Sequence, residues 1–505
     1  MAAVKPGFRP AMTWLHDWSG LVIGWLLFAI VLAGTLAVFR PEIGDWARPE
    51  AARTAQVDSA RASAAAVRWL SIHAADAPAW FLQPADDRAT TTLATWGDGK
   101  GGYVQRWLDA RDGSPEGIRD TRGGEFFYRL HFELQLPYPW GRILSASAVM
   151  LMLLAILTGI VAHRRFFADF FTFRARKGQR SWLDAHNLLA VTALPFHLMI
   201  SFTGALTLAN LIMPWGQLAG YDGDSAAVYR DLYPAAVQRA ATGRHAPLAP
   251  IAPMLREAER RFGGGIALVS VLNPGDAASV VTVTSAEDSR IGIQRAAISF
   301  DGPSGRILAA PEEHRPALRT FNFLYALHTA RFAQWLTRWA YFVCGLMMTA
   351  MIGAGLILWT VKRRARRRGF GFALVERLNI GFIAGTPIAF AAFFLANRLL
   401  PIEITGRAEL EVRIVFWAWG LALLFGALRP AARAWRELLS LACLTCLAIP
   451  IADLLTGAAR ADTISFGVDG TALALAAGFG AATALLARWK SFPVPLDSPR
   501  QAVAA

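Results

Sequence analysis

Nine histidines occur in 505 residues, and six of them stand where imidazole could hold a metal. His16, His163 and His186 lie near the ends of apolar runs, and His197 lies deeper within one. His131 and His328 occupy matched Leu-His pairs just ahead of later runs. A histidine inside a bilayer is expensive and marks a functional site by default. Several stacked in two layers suit haem iron, which takes one or two neutral imidazoles in an apolar slot with partners for its propionates. Imidazole also suits zinc and copper, but no Cys, Asp or Glu accompanies these positions at ligand spacing. The plain alternative for each is an interfacial anchor. It is strongest for His163, beside Arg164-Arg165, and weakest for His197, within Pro195-Phe196-His197-Leu198-Met199.

The spacing predicts two levels. His186 and His197 are 11 residues apart, which on one continuous helix is roughly 20° from alignment with a rise of ~16.5 Å. Both would then face the same way at different depths. The inner candidates are His16, His186 and His163; the outer are His131, His328 and His197. Asp17 and Asp184 adjoin or nearly adjoin inner histidines and are expected to orient a ring. Arg129, Arg142, Arg331 and Arg338 are candidate outer partners for propionates. His73, His245 and His314 fall in soluble segments and read as surface residues.

The elements that must position these rings are membrane helices. The chain is 54% hydrophobic and 17% charged, the balance of a polytopic membrane protein. Eight apolar runs are legible: 20–39, 143–162, 188–213, 339–361, 380–396, 414–428, 438–458 and 471–487. The net charge of +14 does not point to nucleic acid, because its placement follows the spans. Lys5 and Arg9 precede the first. Arg164, Arg165, Arg174, Arg176, Lys177 and Arg180 follow the second. Lys362, Arg363, Arg364, Arg366, Arg367 and Arg368 follow the fourth; Arg429, Arg433 and Arg436 the sixth; Arg488 and Lys490 the eighth. Basic residues at every second junction are the positive-inside pattern. Both termini are expected in the cytoplasm, with anionic-lipid contacts along that face. The first run is longer than a signal-peptide core of ~7–15 residues and reads as a retained anchor. Cys344, Cys443 and Cys446 all lie in apolar runs, so the outer segments hold no disulfide; Cys443-x-x-Cys446 reads as helix packing rather than a redox pair.

This topology leaves residues 40–142 and 214–335 outside the membrane, each the size of a small domain. The second reads as a helix over 254–262 followed by strands at 266–272, 279–284 and 292–300. The first repeats the outline with a helix at about 58–73 and strands at 80–83, 90–95 and 102–108. The spans repeat too. A shift of 170 residues lays His16 on His186 and Gly34 on Gly204; a shift of 197 lays His131 on His328; one residue less lays Gly159 on Gly355. The unit of span, outer domain, span occurs twice, as parallel repeats around an axis along the membrane normal. The expected organisation is residues 1–39 as N-terminus and first span, 40–142 and 214–335 as two outer α+β domains, 143–213 as spans two and three, 336–368 as span four with its basic loop, and 369–505 as a four-span section. That section has no histidine, and Asp453 near an outer end reads as a snorkelling or loop-facing acid.

Trp14-Leu15-His16-Asp17-Trp18-Ser19-Gly20-Leu21 resembles the opening of the PepSY-associated transmembrane family. So do Leu130-His131, Asp184-Ala185-His186-Asn187, Phe202-Thr203-Gly204, Leu327-His328-Thr329, and Gly355-Leu356-Ile357-Leu358-Trp359 before Lys362-Arg363-Arg364. The resemblance runs over about residues 10–365 and includes both outer segments as PepSY-like modules. It implies an iron-regulated inner-membrane protein of bacteria that carries haem, with His16, His131, His163, His186, His197 and His328 at positions the family uses for it; the two layers and the duplication add the expectation of two haem b groups, with His16, His186, His131 and His328 as iron ligands. It further implies reduction of ferric siderophores in the periplasm. No Gly-x-Gly-x-x-Gly follows a strand, and no cytoplasmic segment has the length for a flavin domain. With no flavin or NAD site in the chain, a separate electron donor is needed, a quinol or a cytosolic flavoprotein. Two other readings compete: a non-redox PepSY binding or regulatory protein, and a siderophore or haem transporter. Against transport, the sequence offers no clear broken helix pair, Pro195 and Pro387 being weak signals.

Overall fold

The computed structural model describes residues 7–51, 57–99, 102–163, 173–175, 177–232, 235–286, 296–310, 316–365 and 369–488. His314, Lys5, Lys490 and the basic residues Arg164, Arg165, Arg176, Arg366, Arg367 and Arg368 lie outside them, as do residues 292–295 of one expected strand. Among the described residues, seven helices are long and apolar enough to cross a membrane: Phe8–Ala37, Trp140–Ala162, Trp335–Arg363, Phe370–Leu399, Arg407–Leu428, Ala431–Leu455 and Thr463–Arg488. An eighth span exists if Gln179–Thr192 and Leu194–Thr207 count as one.

That pair corrects a sequence expectation. The third span is not continuous: it breaks at Ala193, whose backbone leaves the helical region at φ −110 and ψ 21. Pro195 follows in the first turn of the second helix. It has no N–H to continue the ladder, and its ring excludes the carbonyl four residues back. His186 and His197 therefore sit on different helices, and the 11-residue alignment does not apply. Of the two weak signals for a break, Pro195 thus marks a bent helix pair.

The chain divides into two compact units. One comprises residues 1–32, 154–192 and 347–505; the other comprises 33–153 and 193–346. His16, His163 and His186 belong to the first unit, and His131, His197 and His328 to the second. The inner and outer groups expected from the sequence thus fall into separate units.

In the second unit the two segments expected outside the membrane do not form two domains. Strands β1 (Ala79–Gln83), β2 (Thr91–Gly97), β3 (Tyr103–Asp109), β4 (Ile266–Leu272), β5 (Val280–Ser285), β6 (Ala297–Asp301) and β7 (Ile307–Ala309) make one antiparallel sheet. Its order is β3-β2-β1-β4-β5-β6-β7. The seam is β1 on β4, with Trp80 opposite Val271 and Leu82 opposite Val269. Helices Ser59–His73 and Ile251–Phe262 complete a single core, in which Leu70, Leu82, Leu108, Leu255, Val269, Val281 and Ile298 are wholly buried. The side chain of Asp58 caps the first helix by accepting from the Ala60 N–H. Gly263, at φ 67, ends the second in the left-handed conformation that glycine takes without penalty. The Ser59 hydroxyl donates to Glu259 across the two helices at 2.6 Å. Pairing β1 with β4 removes an edge from each repeat, which is the physical reason for fusion.

In the first unit, Phe8–Ala37 and Trp335–Arg363 interlock at a glycine: a Cβ on Gly24 would lie 2.8 Å from Leu356 Cδ2. Asn379 ties both, accepting from the Trp25 indole at 2.8 Å and donating to the Leu356 carbonyl at 2.9 Å. In the four-helix section, Asp453 is buried rather than snorkelling. Arg398 holds it at 2.5 Å, with both side chains at most 1% exposed. Asn397 joins this pair to a second buried one, Arg407–Glu411, by accepting from Arg398 and donating to Glu411. An isolated carboxylate could not remain charged there, so the arginine is what permits its burial. Cys443 and Cys446 are free thiols, and Cys443 packs toward Gly480 of the last helix.

Candidate functional site

Four of the six histidines meet in two pairs, one in each unit. In the first unit the rings of His16 and His186 have centroids 6.1 Å apart and planes 63° apart. In the second, His131 and His328 are 6.0 Å apart with planes 20° apart. These are the pairs that the internal duplication makes equivalent.

Each ring is fixed from behind by a helix that passes close to it. The His16 Nδ1 lies 2.8 Å from the Ala155 carbonyl, and the His186 Nδ1 lies 2.8 Å from that of Met351. A carbonyl only accepts, so both rings donate from Nδ1, which leaves Nε2 as the nitrogen that would bind a metal. Four residues beyond each carbonyl is a glycine on which the ring rests. A Cβ on Gly159 would sit 3.0 Å from His16 Cε1, and one on Gly355 would sit 3.1 Å from His186 Cε1. The second unit repeats the device. His328 Nδ1 lies 3.2 Å from the Ile200 carbonyl and 3.3 Å from the Thr203 hydroxyl. Gly204, four residues beyond Ile200, would place a Cβ 2.8 Å from His328 Cε1. Gly34 stands behind His131, with a Cβ position 2.6 Å from Nδ1. The four glycines are the two pairs that coincide under the repeat shifts.

If a haem binds, His16 with His186, and His131 with His328, are the residues that would hold its iron. A metal–nitrogen bond of about 2.0 Å to each of two imidazoles would keep their centroids within about 6–7 Å of each other. The observed 6.1 and 6.0 Å lie within that reach. Among the described residues no group of three or more His, Cys, Asp or Glu is placed to hold a metal ion. Two imidazoles suffice where a porphyrin supplies the other four ligands, whereas a protein-held zinc takes three or four. Burial, followed by the neighbouring His131 ring, pushes the His328 imidazolium pKa down to about 3, so that ring is neutral, as a metal ligand must be.

The other expectations divide. His197 is 1% exposed, and its ring meets Phe196 at 6.3 Å; neither close pair includes it. His163 lies at the end of Trp140–Ala162, one turn past Gly159, whose carbonyl accepts its backbone N–H. His73 stacks on Trp69 at 4.2 Å and is exposed, as is His245. Asp17 and Asp184 are not the ring partners expected of them. Asp184 takes Arg174 at 2.7 Å, and Asp17 takes Arg363 and Lys362. Three of the four outer arginines are paired: Arg129 and Arg142 with Glu133, and Arg338 with Glu42, which Arg88 also contacts. Sequence reasoning marks the glycines as repeat markers and misses them as ring seats; glycine spacing in a membrane helix is the available signal. The carbonyl tethers have no signal, since every residue supplies one.

Fold and site together define a polytopic membrane protein with two histidine pairs, built from a duplicated unit. The chain belongs to the family described as PepSY-associated TM region, whose pattern matches residues 13–362. An uncharacterized protein of Pseudomonas aeruginosa is 30% identical over 378 residues, covering 68% of this chain and 90% of the relative.

Proposed function

We propose that the protein is a di-haem electron conduit of the bacterial inner membrane that reduces ferric siderophores in the periplasm. The supporting observation is the close imidazole pair in each unit, 6.1 and 6.0 Å between centroids, with His16, His186 and His328 held at Nδ1. Haem b held in this way exchanges a single electron between ferric and ferrous iron. The chain's own part is to hold the rings. The glycines let helix backbones approach, the carbonyls fix the tautomer and aim Nε2, and the apolar helices keep water out. Two such sites on one chain serve entry on the cytoplasmic side and exit outside. The basic residues at alternate span ends support this orientation, with both termini inside and residues 40–142 and 214–335 in the periplasm. Reduction would loosen iron from a hard-oxygen chelator, because iron(II) has lower charge density. The donor is a separate partner, a quinol or a cytosolic flavoprotein.

The test is an optical spectrum of the detergent-purified full chain, oxidised and then reduced with dithionite. Sharp reduced α and Soret bands are expected. His16→Ala or His186→Ala should remove one component, and His131→Ala or His328→Ala the other, with His163→Ala leaving both. A folded, colourless protein refutes the proposal and favours the non-redox PepSY reading. The broken helix pair ending at Thr192 and resuming at Leu194 gives transport its one specific support. Chelate uptake into sealed vesicles without an electron donor would establish it.

A further inference from the structure

One helical turn beyond Gly355, on the same face of Trp335–Arg363 that seats His186, stands a donor that the site above does not use. Trp359 is 7% exposed, and its indole Nε1 is buried with no hydrogen-bond partner. A buried N–H left without an acceptor forfeits about 1–3 kcal/mol, so its retention calls for an acceptor. Beside it the charges do not balance. The Arg363 guanidinium lies 4.4 Å from the centre of the Trp359 ring and is only 17% exposed. Arg363 and Lys362 share one carboxylate, Asp17, at 2.8 and 3.3 Å. Arg364 is matched separately by Glu376. Among the described residues this cluster therefore holds one positive charge more than its acid neutralises, next to an idle N–H. Asp17 directly follows His16, so the idle donor and the surplus charge both adjoin the inner pair.

We propose that Trp359 and Arg363 form a subsite for an acceptor oxygen of a ligand bound at the His16–His186 pair. Two sources carry that chemistry: a haem propionate, or the carbonyl of a quinone acting as electron donor. The propionate source rests on the haem reading above; the quinone source does not. The indole supplies a short-range neutral donor and the guanidinium supplies charge, while Asp17 keeps the guanidinium in place.

Trp359→Phe keeps the ring and removes only the N–H, and Arg363→Gln removes the surplus charge. Two readouts are taken on the detergent-purified full chain as isolated: the midpoint potential of each haem component by optical redox titration, and equilibrium binding of decylubiquinone. Trp14→Phe, at a ring 63% exposed, is the control. A propionate in the subsite predicts that both variants shift the inner component to lower potential, because a carboxylate less neutralised favours ferric iron, with quinone binding unchanged. A quinone predicts at least fivefold weaker decylubiquinone binding in both, with both midpoints unmoved. If Trp359→Phe folds and neither readout differs from Trp14→Phe, the subsite is refuted, and Trp359 serves as a packing residue against Trp18, whose ring centroid lies 6.2 Å from its own. A protein without haem bands overturns the conduit proposal, but the quinone measurement still decides the subsite.

Discussion

Adding one methyl group behind each histidine should damage the protein in a graded order set by the space available. Ordinary contact for a Cβ begins at 3.4 Å. Against that, an alanine would fall short by about 0.8 Å at Gly34, 0.6 Å at Gly204, 0.4 Å at Gly159 and 0.3 Å at Gly355. Overpacking of this kind costs about 1–3 kcal/mol. A ring pushed off its carbonyl forfeits a further ~0.5–1.5 kcal/mol of hydrogen bond. Gly34→Ala and Gly204→Ala should therefore cost about 2–4 kcal/mol, and Gly159→Ala and Gly355→Ala about 1 kcal/mol. Gly20 is the internal control: it lies in the same helix as Gly34, with nothing within 4 Å of its Cβ position. Gly20→Ala should gain up to ~1 kcal/mol from helix propensity alone. The assay is thermal unfolding of the full chain in detergent, followed by tryptophan fluorescence, with the visible spectrum recorded on the same samples. The expected order of melting is Gly20→Ala highest, then wild type, then the inner pair, then the outer pair. If Gly34→Ala melts with or above Gly20→Ala, the helix does not approach the ring closely, and the imidazoles are not fixed in the way described.

Three further outcomes follow from other parts of the fold. Asp453→Ala leaves Arg398 buried and unopposed and should cost about 3–5 kcal/mol; the double substitution Arg398→Met with Asp453→Leu should recover most of that loss in the same melting assay. Leu255, wholly buried in the core shared by residues 59–109 and 251–309, should cost about 2–5 kcal/mol as alanine, and proteolysis should then attack both segments together rather than one alone. Asp276 accepts from the backbone N–H of Ala278, with Thr242 and Gly243 adding to it, and these bonds hold its pKa down at about 2 against a usual 3.8. A depressed carboxylate stabilises the fold above its unfolded pKa and loses that effect as pH falls. The melting difference between wild type and Asp276→Asn should thus be constant above about pH 5, shrink between pH 4 and pH 2, and a difference that grew on acidification would contradict it.

Much of the fold and half of the site are legible in the sequence. Apolar run length marks the membrane helices, because a span must exceed a minimum number of residues whatever its neighbours. The helix over 254–262 and the strand over 266–272 are legible because amphipathic and alternating patterns are local. The two histidine pairs are legible through duplication, which carries His16 onto His186 and His131 onto His328. What escapes is non-local. The β1–β4 seam joins segments whose own patterns are satisfied equally by two separate sheets. Arg398 and Asp453 lie 55 residues apart, so nothing near either one announces its partner. The break at Ala193 does have a local cause in Pro195, but apolar periodicity on both sides masks it.

The tethers behind the rings have an evolutionary consequence. A histidine oriented by an aspartate can be disarmed by changing that aspartate, and its orienting partner leaves a trace in any set of related chains. Here the orienting atoms at Ala155, Met351 and Ile200 are main-chain oxygens. Drift at those three positions can alter the side chain, within the limits of packing, while the oxygen persists. The heritable signature of such a site shrinks to a histidine on one helix and a glycine on another, which is why so short a set of motifs can specify so much.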